Sequence, residues 1–287
     1  MKIQTMAAPR SGDRWGQRAV ISAWLLLVPV LMSVSGCGEQ APDKQNADKQ
    51  DSVVEQDTVS QEITVLCGSS FLAPSEELTK AFTAETGIEV AMTAAGSEDF
   101  LPLIKAGKKG DILITHDPYL DFVREANALA DSVQVGVIAP VIAVQKGNPQ
   151  KLEQFDDLAR PGLRVALSNP EYSTCGEMVF ALLEKKDVKE AVLRNVENRL
   201  TKGHGTLGTL VKTGAVDAVV MWNGVAHTFG DSVQIVPTPY EYDTEVRVHV
   251  IGFSYAENSA AMQRFIDFCK GKGPEIFAAH GYTKDAT

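Results

Sequence analysis

The sequence predicts an α/β protein of two lobes, each a mostly parallel sheet flanked by helices, joined by two crossing strands. From Glu62 onward, short apolar runs alternate with segments of helical period, which is typical of sheets whose strands are connected by helices. Two apolar stretches, at about 135–145 and 246–254, are long and lack helical period. We interpret them as crossings between the lobes, which implies a hinge and a cleft.

The individual elements follow from the spacing of apolar residues. The segment 74–87 places Leu78, Ala81 and Phe82 on one helical face and stops at Gly87, a residue suited to a helix end. Pro102 is compatible with a helix at 97–110 because it lies near that helix's start. Strands are predicted at 63–67, 88–93, 111–115, 133–149, 163–168, 215–222 and 246–255. Helices are predicted at 74–87, 97–110, 118–129, 177–187, 188–200, 205–214, 260–271 and 274–281.

The order of these elements divides the folded chain into two lobes. Lobe 1 is expected to consist of 62–140 and 247–287, and lobe 2 of 141–246. A first lobe that is interrupted by the second makes two connections between them, which favours closure about a hinge.

Residues 1–36 have the features of a lipoprotein signal peptide. A basic segment precedes the apolar run AVISAWLLLVPVLMSV, which is typical of a secretory signal. The run is short for a membrane-spanning helix and contains Pro29. Its end, VSGC at 34–37, resembles the bacterial lipobox, which implies cleavage before Cys37 and lipidation of that residue. An ordinary cleaved signal and an uncleaved anchor are the alternatives.

The segment 37–61 is predicted to be a lipidated cysteine followed by a disordered tether. Residues 38–61 contain no aromatic residue and few large apolar ones, so they bury too little surface to offset the entropy of ordering. Acyl chains on Cys37 would hold the protein at a membrane surface without spanning it. The expected location is therefore extracytoplasmic, on the periplasmic side, with a lipid anchor.

Composition excludes several classes of function. The formal net charge is −10, and no basic stripe suggests nucleic acid as a partner. An acidic protein must hold an anion by local dipoles and hydrogen-bond donors, since its overall field is unfavourable. Besides Cys37 the chain has only Cys67, Cys175 and Cys269. Their number and spacing match neither a disulfide scaffold nor a metal knuckle, so we predict no metal site.

The junctions between strands and helices are rich in glycine and hydroxyl groups. Ligands of open α/β sheets bind beyond the carboxyl ends of the strands, and free N–H groups at helix starts attract anions. Helix capping is the alternative use of serine at such a position. Several such junctions in both lobes predict a small anion clamped by neutral donors. They are GSSF (68–71), AGS (95–97), NPEYSTCG (169–176), KGHG (202–205) and WNG (222–224).

The same junctions resemble the periplasmic molybdate-binding proteins of ABC importers, which have the type II periplasmic binding protein fold. The resemblance implies a monomeric substrate-binding protein that is not an enzyme and uses no cofactor. Its ligand would be molybdate or tungstate, delivered to the membrane subunits of an ABC permease. The resemblance covers nearly all of 62–287 and depends on ITVLCGSSF, AAGSEDFLPLIKAGKKGDILIT, RVALSNPEYSTCGEM, AVDAVVMWNG and PEIFAAHGYTK.

The resemblance implies five oxyanion-binding residues. Ser70 and Ser97 correspond to two serines of the family, and Cys175 and His204 to two positions that donate backbone amides. Trp222 stands where the family has a tyrosine, with a core aromatic as the alternative. An indole N–H donates one hydrogen bond and accepts none. Because these donors offer a protonated anion no acceptor, we rank molybdate and tungstate above phosphate, and expect the smaller sulfate to fit less well.

Neighbouring side chains are expected to support this site or to pack its loops: Ser69, Tyr172, Thr174 and His116. His116 and Asp117 also invite an acid–base interpretation. However, no serine or cysteine has a histidine and an acid at catalytic spacing, so we predict no enzymatic activity.

Two other functions remain open at this point. The same fold without a transport role would be a ligand sensor. Alternatively, Cys67, Cys175 and His204 would meet in the closed cleft as soft ligands of a transition metal.

Overall fold

A computed structural model describes residues 62–107 and 109–283. The predicted signal peptide, Cys37 and the tether lie outside these residues. Within the described ranges, no helix combines the length and the apolar character needed to cross a membrane.

The described residues form two five-stranded sheets with helices packed around them. The strands are β1 (Glu62–Gly68), β2 (Glu89–Ala95), β3 (Ile112–His116), β4 (Leu129–Ile138), β5 (Pro140–Gln145), β6 (Val165–Ser168), β7 (Leu200–Thr201), β8 (Ala218–Trp222), β9 (Val233–Ile235) and β10 (Val246–Phe253). The helices are α1 (Leu72–Thr86), α2 (Ser97–Lys105), α3 (Tyr119–Glu125), α4 (Thr174–Lys185), α5 (Lys189–Val196), α6 (His204–Lys212), α7 (Asn223–His227) and α8 (Ser259–Ala279). Short 3-10 turns occupy Ser69–Phe71 and Phe155–Ala159.

The two sheets have the same plan. The first has the order β2-β1-β3-β10-β4, and the second β7-β6-β8-β5-β9. In the first, β1 pairs in parallel with β2 and β3, and β10 pairs antiparallel with β3 and β4. In the second, β6 is parallel to β7 and β8, and β5 is antiparallel to β8 and β9. The predicted parallel strands therefore make up one half of each sheet, and antiparallel strands complete the other.

The passage from the first sheet to the second is shorter than the sequence predicts. Instead of one strand at about 135–145, β4 ends at Ile138 and β5 begins at Pro140 in the other sheet. Proline has no N–H to donate to a ladder, so it suits a strand start. Ala139 is held between the strands by Asn223, whose N–H donates to Ala139 O at 3.0 Å and whose Oδ1 accepts from Ala139 N at 3.3 Å. The return strand β10 lies entirely in the first sheet, so the second connection precedes it.

The carboxyl-terminal segment forms one helix, where the sequence predicts two. The helix α8 runs without a break through Pro274, although proline removes a hydrogen bond inside a helix. Its apolar face packs on the first sheet, where Phe265 meets Phe82 of α1 edge-on at 4.9 Å. This tertiary contact outweighs the local break. The short elements α7 and β9 are also absent from the prediction because three to five residues carry too little periodicity.

Helices cover both faces of the first sheet. In β1, Val65 and Cys67 belong to the core beneath α1 and α8, whereas Leu66 faces the smaller core with Phe100 of α2 and Val123 of α3. This alternation follows the two-residue period of a strand. With both faces covered, the carboxyl ends of the strands remain the place where backbone donors can reach a ligand.

Candidate functional site

A small cavity lies where loops from the two sheets meet. It has a volume of about 60 Å³, whereas pockets for organic ligands occupy roughly 300–1,000 Å³. A space of this size suits an ion of a few atoms. Its lining consists of Gly68–Phe71, 96–98, His116, Tyr119, 172–174, 202–204 and Trp222.

Ser97 begins α2 and is buried at the cavity. The hydroxyl of the fully buried Thr115 donates a hydrogen bond to Ser97 Oγ at 2.8 Å. Ser97 therefore accepts from Thr115, and its own hydroxyl hydrogen is left for the cavity. The approach requires glycine at position 68, since a Cβ there would lie 2.6 Å from Ser97 Oγ. Sequence reasoning missed Thr115, although a hydroxyl inside the apolar run DILIT was a usable signal.

Ser70 lies in the turn between β1 and α1 and is half-buried. Its carbonyl accepts a hydrogen bond from the hydroxyl of Tyr282. The Tyr282 ring packs on Phe71 with the ring centroids 5.6 Å apart. The segment after α8 therefore fixes the turn that presents Ser70, a contact over more than two hundred residues of sequence.

Trp222 ends β8 and is almost fully buried, yet it lines the cavity. Its ring contacts two imidazoles, with centroid distances of 5.5 Å to His116 and 5.8 Å to His204. The two interpretations of Trp222, as core residue and as donor, are compatible, since the residue is buried among other rings and also lines the cavity.

Both imidazoles at the cavity are neutral at neutral pH. Burial lowers the pKa of His116 to about 4 and that of His204 to about 3, with the neighbouring His116 adding to the second effect. His116 Nδ1 lies 2.6 Å from Asp117 O; because a carbonyl only accepts, Nδ1 carries the hydrogen. The Asp117 carboxylate pairs with Arg247 at 2.8 Å and His249 at 3.0 Å. The side chains of His116 and Asp117 therefore do not form the direct pair that the acid–base interpretation would need, and Asp117 instead holds its own loop and its neighbours.

Charged and phenolic groups complete the lining. Lys202, from the second sheet's side, lies 3.3 Å from Asp99 and 3.7 Å from Glu98, both in the first turn of α2. The ammonium therefore balances the carboxylates beside the cavity. Burial raises the pKa of Tyr119 to about 12, so its phenol keeps its hydrogen and is a further donor. Sequence reasoning placed Lys202 in a predicted junction but did not pair it with Asp99 or Glu98, since their meeting depends on how the two sheets face each other.

Cys175 does not belong to the cavity lining, in contrast to the other four residues predicted to bind. It is fully buried in the first turn of α4, directly behind Thr174, which does line the cavity. Burial raises the pKa of the Cys175 thiol well above its usual range. The start of α4 is capped by Ser173 Oγ, which accepts from Gly176 N at 3.4 Å. Any contribution of Cys175 to the cavity is therefore through its backbone.

The three residues of the alternative transition-metal site lie in different surroundings. Cys67 is a buried free thiol 3.4 Å from Ser75 Oγ, and burial raises its pKa to about 12. Cys175 is buried behind α4, and only His204 lines the cavity. Over the described ranges 62–107 and 109–283, no group of three histidine, cysteine or acidic residues is placed to hold a metal ion.

The structure brings most of the predicted site together. Ser70, Ser97, His204 and Trp222 line the one cavity. So do all four residues expected to support it: Ser69, Tyr172, Thr174 and His116. Their contact with a ligand stays a prediction.

Two mixed sheets of equal plan with a small polar cavity between their loops form the fold of the type II periplasmic binding proteins. The chain belongs to the family of bacterial extracellular solute-binding proteins, which matches residues 63–283. Membership of an extracellular family places the protein outside the cytoplasm.

The relatives of this chain include molybdate- and sulfate-binding proteins. The molybdate-binding protein ModA of Escherichia coli is 24% identical over 235 residues, covering 77% of this chain and 88% of ModA. The periplasmic molybdate-binding protein of Azotobacter vinelandii has a TM-score of 0.64 at 18% identity, over 77% of this chain and 98% of that one. The sulfate-binding protein SubI of Mycobacterium tuberculosis has a TM-score of 0.62 at 17% identity, over 77% and 86%. The resemblance found in the sequence motifs is confirmed.

Proposed function

We propose that this protein captures a tetrahedral oxyanion between its two lobes and delivers it to an ABC permease. The observation that carries the proposal is the convergence of Ser70, Ser97, His204 and Trp222 from both sheets on a cavity of about 60 Å³. The site acts by binding, with no chemical step. The similarity to molybdate- and sulfate-binding proteins supports the same class of ligand.

The donors act from opposite sides of the cavity. On the first sheet's side, Ser70 and Ser97 present hydroxyl groups. On the second, Trp222 presents an indole N–H, and the starts of α4 and α6 present backbone N–H groups beside Thr174 and His204. Neutral donors at a helix start are favourable for an anion. Because an unpaired buried donor is costly, donor number and cavity size select the ligand.

Molybdate or tungstate is the proposed ligand, ahead of sulfate and phosphate. Trp222 with its two flanking imidazoles makes a wide aromatic wall, which favours the larger oxyanions. The predicted lobes, 62–140 with 247–287 and 141–246, would close about the passage at Ala139. Lys202 already connects the two sides of the cavity through Asp99 and Glu98 and would hold them together in the closed state.

Cys37 would carry the lipid that anchors the protein outside the cytoplasm. A monomer on the predicted tether 38–61 would reach the permease while acyl chains hold it at the membrane surface. The proposed partners are therefore a small oxyanion, the permease subunits and the membrane surface.

A ligand panel tests the proposed function. We expect molybdate and tungstate at micromolar concentration to raise the melting temperature, since a ligand that binds only the folded state stabilises it by about 2.7 kcal/mol at a hundred times its Kd. Sulfate, phosphate, zinc and copper complete the panel in differential scanning fluorimetry. A response to zinc or copper with none to any oxyanion would favour the metal-binding alternative and contradict the proposal.

Thr115 is expected to strengthen binding through Ser97. In Thr115→Val the shape is kept, but Ser97 loses the donor that directs its hydroxyl hydrogen toward the cavity. One net hydrogen bond is worth about 0.5–1.5 kcal/mol, so the Kd for molybdate should rise roughly two- to tenfold in isothermal titration calorimetry. Thr115→Ser keeps the hydroxyl and should restore binding. Equal loss in both variants would show that packing, and not the hydrogen bond, is responsible.

A further inference from the structure

His116 offers the cavity something that the predicted donors do not, namely an acceptor. Its Nδ1 carries the hydrogen that is donated to Asp117 O at 2.6 Å. In a neutral imidazole the other nitrogen, Nε2, then carries no hydrogen and its lone pair can accept a hydrogen bond. The residue lines the cavity, so Nε2 is the nitrogen left for a ligand.

The ring of His116 is held in place on three sides. It packs edge-on against Phe71 at 5.8 Å, Tyr119 at 5.2 Å and Trp222 at 5.5 Å. Together with the hydrogen bond to Asp117, these contacts leave little freedom to turn Nε2 away. The oxygen atoms of an oxyanion in the cavity would therefore face the lone pair of Nε2. Because neither group has a hydrogen to donate, this contact is unfavourable.

One proton resolves this conflict. We propose that His116 contacts the bound oxyanion through Nε2 and that each divalent oxyanion enters the site together with one proton. The proton comes from solution and binds the Nε2 lone pair, and no other bond changes. The resulting N–H donates to an anion oxygen in a charge-assisted hydrogen bond, about twice as strong as a neutral one. The inference rests on the proposed function and adds a residue that determines ligand specificity.

The charges around His116 are consistent with a single added proton. From the first sheet it faces Asp117, whose carboxylate is balanced by Arg247 at 2.8 Å and lies 3.0 Å from His249, a residue whose pKa is lowered by burial. From the second it faces His204, which is neutral and buried. The remaining titratable groups of the lining are Tyr119, Tyr172, Glu98 and Lys202, and Glu98 is paired with Lys202. Among the described residues, the buried His204 Nδ1 has no hydrogen-bond partner. If His204 also took up a proton, its positive charge would repel that of the protonated His116.

The direction of the pH dependence follows from linkage. Without ligand the pKa of His116 is lowered to about 4 by burial, and a bound anion raises it. Affinity is therefore highest in acid and falls as pH rises, by about tenfold per pH unit between the free and the bound pKa. A hydrogen-bearing anion such as hydrogen phosphate would bring its own proton to Nε2 and take none from solution.

Titration calorimetry in buffers of different ionisation enthalpy tests the proposal. For the protein with molybdate we expect uptake of about one proton per anion at about pH 6, and a Kd that rises from about pH 6 to about pH 8 by up to about a hundredfold. In His116→Gln, which cannot titrate, the uptake should vanish and the Kd should change less than about twofold over this range. His280→Gln is the matched control, since His280 pairs with Glu77 outside the cavity, and its uptake should equal that of the unchanged protein.

The possible failures are distinguishable. Binding of molybdate without proton uptake overturns this inference and leaves the proposed function standing, whereas binding of no oxyanion at all overturns both. Proton uptake that is lost in His204→Gln but kept in His116→Gln would place the proton on His204, and this result would also overturn the inference. If His116→Gln does not fold, nitrogen NMR of the imidazoles in the unchanged protein shows directly whether His116 Nε2 carries a proton when molybdate is bound. A His116 Nε2 that stays without a proton beside molybdate at about pH 7 contradicts the proposal.

Discussion

Replacing both Ser70 and Ser97 by alanine is expected to abolish oxyanion binding while the chain stays folded. Each hydroxyl would donate to a charged ligand, and such a hydrogen bond is worth about 1.5–3 kcal/mol. Losing two should weaken binding by roughly a hundred- to ten-thousandfold. The fold should tolerate the change, because Ser70 is held through its carbonyl by Tyr282. The buried Thr115 hydroxyl loses Ser97 Oγ as its acceptor, which costs about 1–3 kcal/mol, less than the roughly 5–15 kcal/mol by which a typical domain is stable.

Calorimetry with molybdate measures whether binding is lost, and circular dichroism measures whether the chain stays folded. Ser254→Ala is the matched control, since its hydroxyl bonds Asn127 O outside the cavity lining and its loss should leave the Kd unchanged. An unchanged Kd in the double variant would show that the ligand lies elsewhere. Lost binding together with a lost fold would show that the serines are structural.

Gly176→Ala is expected to destabilise the protein and to disturb the cavity. A Cβ at position 176 would lie 2.6 Å from Ser168 O and 2.8 Å from Pro170 N. Both are backbone atoms, so the first turn of α4 must shift away from the end of β6. Such overpacking costs about 1–3 kcal/mol, and the shift moves the cavity-lining Ser173 and Thr174.

Urea unfolding and the Kd for molybdate together test this effect. Gly205→Ala in the first turn of α6 is the matched control, because a Cβ there meets nothing within 4 Å. That change should be neutral or stabilising by up to about 1 kcal/mol, from helix propensity. A Gly176→Ala variant as stable as Gly205→Ala would show that the close approach of α4 to β6 is unimportant.

Much of the fold could be predicted from the sequence because the underlying signals are local. Apolar period distinguishes strand from helix within ten or so residues, which located β1, α1 and β8 within a few positions. The glycine- and serine-rich junctions also lie where prediction places them, since a strand end followed by a helix start is a local pattern. The interruption of the strand at Ala139 and the continuity of α8 through Pro274 were not predicted. Both depend on residues that are distant in sequence, which local patterns do not reveal.

The sequence by itself determined the α/β class, the family resemblance and which junctions carry donors. Only the tertiary structure decided how those donors are held and what accompanies them. Thr115 orients Ser97, Tyr282 fixes the Ser70 turn, and Lys202 reaches Asp99 across 103 positions of sequence. Cys175 lies outside the cavity lining, whereas His116 lines the cavity in contact with Trp222. The physical reason is that a hydrogen bond depends on distance and direction in space, which the spacing of residues along the chain does not contain.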